Sequence, residues 1–126
     1  MRPFIEPSGE ASALARRLDS IWRIPGGVFV LPVVGFGIAT WMTYQGQPES
    51  GFAKAGLAVF FFGLSLGALA YWGHASVEEC HDLGTPNVHK NTNPVSYKIL
   101  LGFELLCAVA FFAGGLYATA ESLGII

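Results

Sequence analysis

This sequence is poor in charge. Asp, Glu, Lys and Arg supply 13% of its 126 residues, whereas 52% are hydrophobic. A soluble domain covers its surface with roughly 25% charged residues, so an ordinary water-soluble domain is excluded and a membrane protein is expected. Cysteine is scarcer still, with two residues. Cys80 falls near the end of an apolar run and Cys107 within another. That placement argues against an oxidatively formed disulfide and leaves Cys107 as a small apolar residue. Internal repeats and low-complexity tracts are missing too.

What is present is apolar sequence in three long runs. Ile24 to Tyr44 and Ala55 to Gly73 contain no side chain charged at neutral pH, and Ile99 to Ala120 contains one, Glu104, about a turn and a half inside its start. Each is long enough to cross a hydrocarbon core about 30 Å thick at roughly 1.5 Å per residue. A carboxylate near a span's end costs less than one at mid-bilayer. Trp22, Trp41, Tyr44, Tyr71, Trp72, Tyr97 and Tyr117 fall near the ends of the runs, as interfacial anchors do. The first run is too long for the core of a cleaved signal and lacks a small-x-small site behind it, so it is expected in the mature protein. The leader's Glu6, Glu10 and Asp19 match an acid-free transit peptide poorly.

Three spans put the N-terminal segment and the 74–98 loop on one side. Arg2, Arg16, Arg17, Arg23, Lys90 and Lys98 lie on that side and Lys54 alone on the other, a count of six against one. The positive-inside rule therefore predicts that the N-terminus and the 74–98 loop face the cytoplasm or matrix. Residues 10–22 (EASALARRLDSIW) suit a short amphipathic helix, started by Pro7 and Ser8, with Leu14, Leu18, Ile21 and Trp22 on one face. It is expected to lie along the membrane surface or against a partner. The turn-rich Gly84 to Pro94 reads as a loop. The expected fold is thus all-α and a single membrane domain, 1–126: three transmembrane helices, about 24–44, 55–73 and 99–120, preceded by an interfacial amphipathic helix.

Ionisable residues concentrate in YWGHASVEECHDLG, 71–84. If the second helix continues past Gly73, intervals of four and seven residues align His74, Glu78 and His81 on one face. Glu78-Glu79-Cys80-His81 contains the Glu-x-x-His element of di-iron bundles, but only Glu104 remains to complete such a site. Zinc is no better served, because Cys80 and His81 are adjacent and no second thiol lies near. Haem needs only one imidazole from a membrane helix, and a second axial ligand can come from another polypeptide. Gly63-x-x-x-Gly67, Ala68, Ala70 and Gly73 give a flat face upstream of His74, suited to close approach or to plain helix packing.

In layout and in short motif fragments the chain resembles the large cytochrome b membrane anchor of succinate dehydrogenase, respiratory complex II. Arg2-Pro3 is followed by Ser20-Ile21-Trp22-Arg23-Ile24-Pro25-Gly26, similar to that family's element opening its first span, though one residue shorter and without its histidine. His74 and His81 keep the family's seven-residue interval, with Asp82-Leu83-Gly84 next, while Glu78-Glu79-Cys80 replaces the Gly-x-Arg usual before the second His.

The resemblance implies an anchor for flavoprotein and iron-sulfur subunits, beside a second small anchor subunit and with no nucleic-acid partner, in a mitochondrial inner or bacterial cytoplasmic membrane. It implies a ubiquinone site at Ser20, Trp22 and Arg23, the serine bonding a quinone oxygen and the arginine stabilising developing negative charge. His74 becomes the expected haem b ligand, with His81 and Asp82 on the propionate side. The alternative is a non-redox accessory transmembrane subunit of a respiratory or photosynthetic complex, its histidines ordinary loop residues and Glu104 paired with a partner or a headgroup. A small transporter is disfavoured, since no discontinuous helix pair is evident.

Overall fold

The computed structural model describes residues 9, 11–81 and 87–126. Its elements are α1 (Ala13–Trp22), α2 (Gly27–Tyr44), α3 (Gly51–Glu78), β1 (Cys80–His81), β2 (Val88–His89) and α4 (Pro94–Ser122). The fold is all-α: α2, α3 and α4 are each long and apolar enough to cross a membrane, and the strands form one short antiparallel ladder.

The helix bounds follow from local chemistry. Ser12 caps α1 and Ser50 caps α3, each accepting from the amide three residues on. Gly26, with φ of 70°, takes the left-handed turn that separates α1 from α2, so the first span begins at Gly27 rather than at 24. Pro94 opens α4 at a position where its missing N–H costs nothing. The main difference from expectation is at the far end of α3. That helix runs on to Glu78 and stops where Glu79 turns left-handed, with φ of 53°. Residues 74–78 of the expected loop are therefore helical, whereas His81 lies on β1 and off the helix that carries His74 and Glu78.

α3 is the central helix: α1, α2 and α4 all pack on it. Among the described residues, the buried ones are mostly Ala and Gly and no large side chain is fully buried, the signature of membrane helices held by close approach rather than by an oily core. Pro32 of α2 seats in the notch of Gly63, where a Cβ would lie 2.6 Å from the proline Cδ. Phe62 of α3 similarly lies on Gly115 of α4, where a Cβ would be 2.6 Å from its ring. Ser65 Oγ donates to the Ala108 carbonyl at 2.7 Å, an interhelical bond worth about 0.6 kcal/mol in a membrane. At the end remote from α1, Lys54 bridges Glu121 at 2.9 Å and Ser122 Oγ donates to the Gly51 carbonyl at 2.8 Å.

Large apolar side chains such as Phe29, Val33, Phe103, Leu106 and Val109 face outward along α2 and α4, as a lipid-facing surface requires. Trp41, Tyr44 and Tyr117 are also exposed, in keeping with interfacial anchors. Tyr71 and Tyr97 are not. Both are buried, and the Tyr97 hydroxyl donates to the Ala75 carbonyl at 2.9 Å, joining α4 to α3.

Candidate functional site

α1 is laid on the end of α3 where the ionisable cluster sits. Its packing face is Ala15, Leu18 and Asp19, with Trp22 partly covered, while Leu14 points away at 60% exposure. The expected stripe therefore rotates by about one residue, because an acid on α1 has a partner on α3. The helix docks on its own chain. Gly73 permits this: a Cβ there would lie 2.5 Å from Leu18 Cβ and 2.7 Å from the Ala15 carbonyl oxygen.

Four charged or ionisable groups then form one chain of contacts. Asp19 Oδ1 lies 2.8 Å from His74 Nδ1, both residues buried, and Asp19 Oδ2 accepts from Arg23 Nε at 2.8 Å. Arg23 reaches on to Glu78 with a terminal guanidinium nitrogen. The hydrogen bond to Asp19, with the Glu78 contact behind it, holds the guanidinium above its ordinary pKa, so Arg23 stays charged throughout. Trp22 stacks against the His74 ring at 5.8 Å between centroids and meets Tyr71 in a tilted contact at 4.9 Å.

A second pair lies beside the first. His81 Nδ1 meets Glu104 Oε1 at 2.8 Å, and its Nε2 lies 3.3 Å from the Tyr97 carbonyl oxygen. Tyr71 and Tyr97 flank the His81 ring at 5.8 and 5.2 Å. Glu104 Oε2 is buried with no hydrogen-bond partner among the described residues. One oxygen of the intramembrane acid is thus answered from within the chain. The adjoining hairpin sets Cys80 opposite His89, sulfur to Nε2 3.9 Å.

Of the residues marked from sequence, Trp22, Arg23 and His74 are brought together, and His81 joins them through Tyr71. Ser20 is not engaged with them: it is exposed, and its hydroxyl donates to the Arg16 carbonyl of its own helix at 3.1 Å. Asp82 lies outside the described residues. Sequence reading missed Asp19, the hub of the network. Its four-residue interval to Arg23 on a helix was the available signal. It also assigned Glu104 no partner within the chain.

Haem b fits this site in one respect only. A carboxylate on Nδ1 does orient an imidazole as a metal ligand needs. The remaining surroundings do not fit a macrocycle. His74 is 8% exposed with Trp22 on its face, Arg23 already serves two carboxylates, and the neighbouring Glu78 adds an acid where propionates need cations. Three grooves among the described residues, of about 550, 570 and 360 Å³, are lined by neither His74 nor His81. Among the described residues no three His, Cys, Asp or Glu side chains gather to hold a metal ion. No family model, curated protein or solved structure matches this chain.

Proposed function

We propose that this chain is a non-redox transmembrane subunit, an anchor or accessory element, of a multi-subunit electron-transport complex. The link to electron transport rests on the layout it shares with succinate dehydrogenase anchors. The observation that favours a structural role is that the candidate redox residues are spent on one another. His74 and Arg23 share Asp19, and His81 holds Glu104, so α1, α3, β1 and α4 are tied together at one end of the molecule. In this reading that end faces the cytoplasm or matrix and presents α1 and the hairpin to extramembrane partner subunits.

A second reading, the quinone-site anchor, is favoured by one specific feature: Trp22 both touches His74 and lines an apolar groove large enough for part of a quinone. The two separate in the full chain purified with its native partners. The structural reading expects no b-type haem band that depends on His74, and quinone reductase activity unchanged in Ser20→Ala and Arg23→Ala. A reduced-minus-oxidised band that vanishes in His74→Ala and survives in His89→Ala would overturn it in favour of the redox anchor. Co-purifying flavoprotein and iron-sulfur subunits would identify the complex under either reading.

A further inference from the structure

The Trp22 groove carries an inference independent of the proposed function. It arises because α2 and α3 diverge toward the α1 end. A Cβ on Gly63 would collide with Pro32, whereas one on Gly67, a turn closer to α1, would meet only the Val28 carbonyl oxygen, at 3.9 Å. The resulting wedge of about 360 Å³ is floored by Gly63, Gly67 and Ala68 and walled by Val28, Phe29 and Trp22. Phe29 is 63% exposed, so the wedge opens on the lipid-facing surface of α2. Its lining is almost wholly apolar, which suits a hydrocarbon chain and no polar solute.

The groove ends at α1, and α1 carries two exposed cations. Arg16 and Arg17 are exposed, and neither forms an ion pair among the described residues; the Arg16 side chain donates to the Gly9 carbonyl, at 2.7 Å. Among the described residues, the acids of this end are engaged elsewhere: Asp19 and Glu78 with Arg23, Glu79 with Lys90, Glu104 with His81. Exposed arginines on an amphipathic helix at the membrane surface attract anionic headgroups. We infer that the α1–α2–α3 wedge is a binding site for one anionic phospholipid, an acyl chain lying along Gly63 and Gly67 and the phosphate diester meeting Arg16 and Arg17.

The test uses Trp22 as its own reporter, in the full chain carrying Trp41→Phe and Trp72→Phe and reconstituted in phosphatidylcholine vesicles. Phosphatidylglycerol or phosphatidylcholine with brominated acyl chains is then titrated in over the same range of mole fractions. Brominated phosphatidylglycerol should quench Trp22 at concentrations on the order of tenfold lower than brominated phosphatidylcholine. Arg16→Gln/Arg17→Gln should abolish that preference, and Gly67→Leu, which fills the floor, should lower quenching by both lipids. Equal quenching by the two lipids would overturn the site, leaving only bulk bilayer around Trp22. A preference that persists in the arginine double variant, or quenching indifferent to Gly67→Leu, would overturn it too. Phospholipid retained per chain after detergent extraction of the unsubstituted protein and of Arg16→Gln/Arg17→Gln reads the same question without the tryptophan changes. The double variant should retain less phosphatidylglycerol, and equal retention would contradict the assignment.

Discussion

The two ends of α3 are both tied by ionic contacts, and the ties differ in kind. At one end Lys54 lies between Glu121 and Glu49, whose side chains are 28% and 88% exposed, a bridge open to water. At the other, Asp19, His74, His81 and Glu104 side chains are 6–13% exposed and sheathed by Trp22, Tyr71 and Tyr97. An exposed pair is screened and contributes little, whereas breaking a buried one strands a polar group away from water. The difference locates structural specificity at the α1 end. There the chain has placed its histidines, and there a change in one side chain reaches several elements at once.

Substitutions at the two ends probe that contrast, read as detergent-induced unfolding of the reconstituted chain. The largest effect is expected from Gly73→Leu, which forces α1 off α3 because the blocking atoms include the Ala15 carbonyl and the Asp19 amide. A loss of about 3 kcal/mol is expected. In a background without native cysteines, Ala15→Cys should then react readily with a membrane-impermeant thiol reagent, having been protected before. Asp19→Ala comes next, at about 2 kcal/mol, since His74 and Arg23 lose their shared acceptor together. Tyr97→Phe should cost about 1 kcal/mol, the single bond to the Ala75 carbonyl. Lys54→Ala should give the smallest shift, none that the titration resolves. A Lys54 effect equal to that of Asp19 would erase the distinction between the ends.

Much of the fold was legible because a membrane imposes a long apolar run wherever the chain crosses it. The three spans and the short amphipathic helix needed only composition and periodicity. The ends were less legible, since α3 gains 74–78 from its own backbone bonding up to Glu79, which no hydropathy window registers. The site was partly legible. Proximity of Arg23 and His74 followed from counting spans, but its chemistry did not, because Asp19 counted only as leader charge until the Gly73 notch brought α1 down onto α3. Tyr71 and Tyr97 illustrate the same limit. Aromatic residues at a span's end satisfy the rule for interfacial anchors whether they point to headgroups or, as here, inward to histidines.

The central claim is that His74 works as a clamp for α1 through Asp19. A double-mutant cycle on unfolding free energy, with Asp19→Ala, His74→Ala and the pair together, tests it most directly. A clamp predicts a coupling energy of about 0.5–3 kcal/mol, the double variant being little worse than either single one. Additivity within about 0.3 kcal/mol would contradict the account.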